Sequence, residues 1–432
     1  MRGASGVRRL LAGTAGVGIG TVVLGASGYG FLTLTAAAVS PADYDALASL
    51  YLTVAIVGPG LFMPVEQETT RIVTSLLAQG RGTRQVIVQL GKLTGVLLAV
   101  AAAGLAAAGP LLVAGIFGDH AGLWWALLLS VVGYGATSVA RGVLAAHGRY
   151  GPYGLVLGVD GLVRLLPCVA LAVAGVDSPV AYGLALGLGP VAGLLVALAT
   201  TRLGERGPGL VWRELIASTS WLAVAWAVSV TLANVGPVIA TALLPAEPGR
   251  AGTFAFAFVL VRVPLFLLYA VQPILLPALA RATANQDAAG LRRGIGQAML
   301  LVGALGAALL VVAAPLVGWL IRALFRDAPV PSGATITALA AGTVLAMLVQ
   351  VLQPALLAVA SHRLIAAAWV AGAVSFGVPF LFAVDAISAA TLAQLAAGLV
   401  TAVVMAAALG QRLRAERRAI ATVTPVAGQV QR

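Results

Sequence analysis

The sequence predicts an all-α polytopic membrane protein of about twelve transmembrane helices in two pseudo-symmetric six-helix lobes, with N- and C-termini cytoplasmic. Three observations carry that expectation. Of 432 residues, 60% are hydrophobic and only 9% charged, with a mean hydropathy of +1.02. Long apolar runs recur along the chain, and the basic residues collect in alternate connections between them.

Composition excludes a water-soluble domain, because a water-facing surface must be covered with polar groups. Crossing about 30 Å of hydrocarbon as a helix takes about 20 apolar residues, so twelve spans would use about 240 residues and leave short connections. The formal charge of +12 would point a soluble protein towards nucleic acid. Here its placement has a topological cause, so no nucleic-acid partner is expected. The single cysteine, Cys168, lies inside an apolar run, which leaves no disulfide framework and no cysteine metal site. It is expected to pack as a small hydrophobe.

The elements follow from apolar runs read against breaks of Gly, Pro and charge. Leu10 to Val39 follows Arg8-Arg9 and ends near Ala-Val-Ser-Pro, a faint likeness to a signal peptide. At about thirty residues the run is too long for such an h-region, so a retained first helix is expected. The spans fall near 10–38, 46–66, 86–108, 121–141, 153–175 and 180–200, then 217–244, 252–279, 296–321, 334–359, 364–384 and 389–410. Very short turns join spans one and two, and spans eleven and twelve, which favours antiparallel neighbours.

Cytoplasmic connections carry the excess of Lys and Arg. With the N-terminus inside, 21 of the 26 basic residues fall on the cytoplasmic side, among them Arg81, Arg84, Arg141, Arg149, Arg202, Arg292 and Arg412. The outer connections keep Arg250, Arg322 and Arg326 and collect Asp43, Asp45, Asp119, Asp177, Glu247, Asp327 and Asp385. An odd number of helices would destroy this split.

A weak internal repeat divides the chain. Arg84, Pro110 and Ile116-Phe117-Gly118-Asp119 are echoed by Arg293, Pro315 and Leu324-Phe325-Arg326-Asp327, and the turn Ala146-His147-Gly148-Arg149 by Ala360-Ser361-His362-Arg363. The expected parts are a first lobe over 1–201, a cytoplasmic linker over 202–211, a second lobe over 212–411 and a basic tail over 412–432. Two such lobes with a site between them are a common transporter plan.

An intramembrane ionisable group raises the insertion free energy by about 2.5–3.5 kcal/mol, so each needs a reason. Arg164 lies about 18 Å beyond Pro152 along a helix, near mid-membrane, and Arg262 lies about halfway into span eight. Facing a wet cavity, both would attract a phosphate or diphosphate. Asp160 and Arg164 are also four apart on one helix face, the spacing of a structural ion pair, and Asp160 has a third reading as a proton-coupling carboxylate. For Arg262 a structural partner on another helix is the competing reading. Glu66, Glu68 and Arg71 sit where span two meets the cytoplasm, as an interfacial salt bridge or a gate. Asn234, Gln272 beside Pro273 and Pro277, and Gln350 with Gln353 beside Pro354 are polar groups at helix breaks, either lining a pathway or only bending helices. Gly154 with Gly158 and Gly183 with Gly187 read as helix packing, and Trp124, Trp125 and Trp319 as interface anchors.

Enzyme motifs are missing: there is no His-Glu-x-x-His, and Gly91-Lys92-Leu93-Thr94 lacks the spacing of a phosphate-binding loop. The histidines, His120, His147 and His362, fall in predicted loops. Neither a metal nor a cofactor is expected.

Four segments carry a resemblance: Pro64 to Arg71, Ala140 to Arg149, Leu232-Ala-Asn-Val-Gly-Pro237, and Phe254 to Pro277. With the two-lobe layout they make the chain similar to the multidrug/oligosaccharidyl-lipid/polysaccharide exporter superfamily, and within it to the flippases of polysaccharide biosynthesis. An acidic residue often following the Asn in span seven of that group is replaced here by Val235-Gly236-Pro237. The resemblance implies alternating access and a flippase of the cell (inner) membrane moving an anionic lipid-linked saccharide from the cytoplasmic to the outer leaflet. Its cavity would be formed by Arg164, Arg262, Asp160, Asn234, Gln272, Gln350 and Gln353. Glycosyltransferases or a polymerase of the same pathway would be its partners. The alternatives are a cation-coupled exporter of drugs or small metabolites, and a non-transporting scaffold of a glycan-biosynthesis complex.

Overall fold

The computed structural model describes residues 2–243, 248–324, 329–382 and 385–423; within them some helical side chains, including those of 2–14, Asn234 and 415–423, lie outside the description. Glu247, Phe325, Arg326, Asp327 and the end of the basic tail also lie outside the described residues.

Helices follow the apolar runs in order: α1 (Arg2–Ala38), α2 (Pro41–Ala78), α3 (Arg84–Ile116), α4 (Ala121–Ala146), α5 (Tyr150–Val173) and α6 (Pro179–Thr200). Then come α7 (Trp212–Leu243), α8 (Pro248–Leu260), α9 (Val263–Ala284), α10 (Ala288–Leu324), α11 (Gly333–Ala358), α12 (His362–Gly377) and α13 (Ala386–Val423). Among the described residues, 11 helices are long and apolar enough to cross a membrane, and a shorter apolar stretch covers Phe256–Leu265.

Local chemistry sets the ends. Ser40 caps α2 by accepting from Asp43 N at 3.2 Å, with Pro41 pre-set for the first turn, and Ser332 caps α11 by accepting from Thr335 N at 3.1 Å. After α4 and after α11 the chain makes the same turn. Gly148 N and Ala360 N donate to the carbonyls of Ala145 and Leu357, Arg149 N and Ser361 N to those of Leu144 and Leu356, and both central residues have positive φ (66° and 53°). The two turns correspond at Gly148 and Ala360, two residues out of register with the sequence repeat, which sets Ala146 against Ala360.

Several helices run past their expected bounds, α3 to Ile116, α4 to Ala146 and α13 to Val423 among them, and two differences bear on the site. Span two continues past 66 to Ala78, because nothing after Pro64 breaks it. Span eight is two helices, interrupted at Val261–Arg262. Pro264 has no N–H for the carbonyl of Leu260, and its ring disfavours helical geometry at Val263, whereas α9 runs unbroken through Pro273 and Pro277. A 3₁₀ turn at Val378–Leu381 follows α12.

The chain divides into two compact units, Met1–Ala227 with Tyr269–Asn285, and Val228–Leu268 with Gln286–Arg432. In unit 1, α1 lies along α5, α4 along α6 and α2, and α5 along α6. Its core is filled by Phe31, Leu50, Phe62, Leu127, Tyr182 and Leu186. Gly154 brings α5 onto α1, where a Cβ would stand 2.1 Å from Gly16 O, and Gly161 continues that contact against Leu24 at 2.9 Å. Gly158, expected to share it, has open space instead. Gly183 and Gly187 do pack, against Leu123 and the carbonyl of Ala126 on α4. In unit 2, α13 packs on α11 and α12, and α10 on α11, around Phe254, Phe258, Leu339 and Ile387.

Candidate functional site

Unit 1 holds five charged side chains buried inside the bundle: Glu66, Glu68, Arg141, Asp160 and Arg164. Glu68 is fully buried, and Arg71, one turn on, grips it bidentately, Nε to Oε2 at 2.9 Å and Nη2 to Oε1 at 2.7 Å. Glu66 faces the bundle from the same helix. Its Oε1 accepts from Tyr153 OH of α5 at 2.6 Å, and its Oε2 lies 2.6 Å from Arg141 Nη2 of α4. That second contact is an ion pair by distance whose angles fall short of a hydrogen bond, so Arg141 Nε and Nη2 remain without one among the described residues. Arg141 was expected in a cytoplasmic connection. It lies inside α4, 4% exposed, since that helix runs five residues beyond it.

Tyr134 extends the cluster. Two turns before Arg141, it shares that face of α4, and its ring lies 5.1 Å under the Arg141 guanidinium. Arg164 Nη2 donates to Asp160 Oδ1 at 2.9 Å, the i,i+4 pair that the spacing allows, with both residues buried. Gly189 of α6 leaves room for them: a Cβ there would stand 2.5 Å from Asp160 Oδ1. Three buried carboxylates thus each have their own arginine. A lone buried charge would be prohibitive in this setting, and the pairing removes that penalty.

In unit 2 the irregular backbone gathers around Arg262, at the α8–α9 break. Its Nη1 donates to Ala233 O of α7, and its guanidinium carbon lies 4.0 Å over the Phe258 ring. The Gln394 amide of α13 is oriented so that Oε1 accepts from Arg262 Nη2 at 3.0 Å and Nε2 donates to Leu232 O at 3.2 Å. The side chain of Asn234 lies outside the described residues.

The other predicted residues lie on α9 and α11. Gln353 is buried and accepts from Trp369 Nε1 at 2.8 Å, and Gln350 is half-buried on the same helix. Gln272 lies on the part of α9 that belongs to unit 1. Trp125 and Trp319 are exposed as anchors should be, but Trp124 donates to Leu105 O at 2.9 Å and packs on α3. His120, expected as a loop residue, contacts Asp43 at 2.7 Å, and His362 is buried at the start of α12. Sequence reasoning missed Tyr134, Arg141, Tyr153 and Gln394. For Arg141 a signal existed, a basic residue in an apolar run that continues to Ala146.

No family model matches the chain. Uncharacterized proteins of Mycobacterium bovis and Mycobacterium tuberculosis are each 27% identical over 397 residues, covering 88% of this chain and 88% of theirs. Among solved structures, a MATE in the straight conformation superposes with a TM-score of 0.77 at 13% identity, over 95% of this chain and 96% of that one. A multidrug resistance MATE family transporter of the MOP superfamily, outward-facing, gives 0.75 at 14% identity over 94% and 96%. The Vibrio cholerae MATE transporter VcmN in the bent form gives 0.76 at 14% identity over 96% and 98%. Eleven spanning-length apolar helices among the described residues and near-complete superposition lead to one conclusion: this chain has the multi-pass fold of the MATE transporters of the MOP superfamily.

Proposed function

We propose that the chain is a membrane transporter working by alternating access, and that it exports small organic compounds by coupling to an ion gradient. The observation that carries this reading is the buried acid–base network of unit 1, Glu66 with Arg141 and Tyr153 and Asp160 with Arg164, inside a MATE fold. Carboxylates paired one to one with arginines make a nearly neutral bundle in which one proton changes the charge balance, as a gradient-driven carrier requires. The termini are read as cytoplasmic from the placement of Arg and Lys.

The second reading is the lipid-linked saccharide flippase. What favours it is Arg164 Nε, a buried donor without a hydrogen-bond partner among the described residues, which a phosphate oxygen would satisfy. Against it, Arg164 Nη2 already holds Asp160, and both terminal nitrogens of Arg262 hold protein groups. Purified protein in proteoliposomes separates the two readings. An imposed pH gradient should drive efflux of a fluorescent organic cation, and Glu66→Gln should abolish it in the folded fraction of that less stable variant, isolated by size exclusion. A silent dye assay with rapid flipping of a fluorescent polyprenyl-diphosphate saccharide would replace the first reading by the second. Inactivity in both would leave the scaffold.

A further inference from the structure

Unit 2 contains two interruptions of helical hydrogen bonding that meet at one side chain. In α7, residue 237 is a proline, so the carbonyl of Ala233 has no amide donor four residues on. In the neighbouring span the helix stops at Leu260 and resumes at Val263, with Arg262 in the gap. The Arg262 guanidinium spans the two, donating to the orphaned Ala233 carbonyl while Gln394 fastens its other nitrogen and the carbonyl of Leu232. Phe258 lies beneath the guanidinium plane at 4.0 Å, in cation–π contact, and a Cβ at Gly236 would stand 3.4 Å from that ring.

Carbonyls freed at unwound points of membrane helices are the groups with which secondary transporters coordinate metal cations. Here one such carbonyl and its neighbour are served by a side-chain cation and an amide that it holds. We infer that Arg262 is the resident cation of unit 2, a guanidinium built into the place where a free cation would otherwise satisfy the α7 carbonyls. Three consequences follow. Wild-type unit 2 has no requirement for sodium or potassium at this joint. Loss of the arginine opens a cavity shaped for a small planar cation. The requirement for the arginine depends on Pro237, because an amide at that position would supply the missing donor.

The inference concerns the joint itself and is independent of the transported compound. The test is thermal unfolding of the full chain in detergent at constant ionic strength, with choline, sodium, potassium or low-millimolar methylguanidinium chloride. Wild type should unfold at one temperature in all four salts. Arg262→Ala should unfold earlier in choline and recover with methylguanidinium, which fills the cavity and donates to Ala233 O. Arg262→Ala combined with Pro237→Ala should be more stable than Arg262→Ala alone, by more than Pro237→Ala changes the wild type. If Arg262→Ala does not fold, Gln394→Ala replaces it as the probe: it frees Arg262 Nη2, lowers the midpoint and should be partly compensated by Pro237→Ala. Equal stability of Arg262→Ala and wild type in choline would overturn the inference. So would methylguanidinium acting no better than choline, additivity with Pro237→Ala, or a specific stabilisation of wild type by sodium.

Discussion

Arg141 of α4 lies 2.6 Å from Glu66 of α2 in the interior of unit 1, and the next residue, Gly142, lets the two helices come that close. A Cβ at 142 would stand 2.7 Å from Glu66 O and 2.7 Å from Thr69 Cβ, so the glycine and the ion pair form one device. Thr70 strengthens it, its hydroxyl lying 2.8 Å from Glu66 O and 3.3 Å from Gly142 O.

Removing one partner of this pair leaves the other as an uncompensated buried charge. Arg141→Ala is therefore expected to destabilise the protein by about 3–5 kcal/mol, whereas Glu66→Leu combined with Arg141→Met should recover much of that loss. Equilibrium unfolding of Glu66→Leu, Arg141→Met and their double variant in mixed micelles measures the coupling. Additive effects of the two single substitutions would show that the pair is not the unit drawn here.

Two glycines on neighbouring helices make a matched test of helix packing. Gly189→Ala sets a methyl group 2.5 Å from Asp160 Oδ1 and 2.6 Å from Asp160 O, so the Asp160–Arg164 pair must shift, at about 1–3 kcal/mol. Gly158→Ala meets nothing within 4 Å and should raise stability by about 0.5–1 kcal/mol through helix propensity alone. Unfolding midpoints of the two variants should move in opposite directions.

How much of this was legible in the sequence depends on whether a signal is periodic or distant. Eleven of the expected spans appear as helices because length and hydropathy are local properties, as is the i,i+4 spacing of Asp160 and Arg164. The α8–α9 break is not visible in hydropathy because apolar residues flank Arg262 and Pro264 on both sides, whereas Pro273 and Pro277, beside Gln272, break nothing. Arg141 was read as a loop charge because the positive-inside rule counts charges without asking which acid faces them. Its partner Glu66 lies on another helix, a relation that periodicity does not encode. The Gln394 amide that fastens Arg262 has the same history.

The segment after α6 is bound to α3. Gln89 Nε2 donates to Leu210 O at 2.9 Å and Leu210 N donates to Gln89 Oε1 at 2.9 Å, so one side-chain amide completes both backbone bonds of Leu210. Arg84 N adds a bond to Glu205 O at 3.0 Å. Gln89→Ala should speed deuterium exchange at the Leu210 amide while leaving that of Arg84 protected. Gln89→Glu, which keeps the acceptor and loses the donor, should fall between them. Equal exchange at Leu210 in all three proteins would mean that the strap is held elsewhere.

At the other end of unit 1, Asp43 is shared by two elements, accepting from Ser40 Oγ at 2.7 Å and lying 2.7 Å from His120 Nε2 of the α3–α4 turn. The hydrogen bond from Ser40, then that from His120, hold its carboxyl below the ordinary 3.8. The folded state thus binds this proton less readily than the unfolded chain does. Its contribution to stability is fully present above the unfolded value, about 3.9, and is lost as pH falls through the folded one. Asp43→Asn should accordingly lower the unfolding midpoint at neutral pH, and the difference from wild type should shrink below about pH 4. His120→Ala removes one of the two hydrogen bonds, bringing the carboxyl nearer its ordinary value, so the acid-side loss should be shallower than in wild type. A difference between wild type and Asp43→Asn that stays constant from neutral pH down through the carboxylate range would show that Asp43 titrates alike in the folded and unfolded protein.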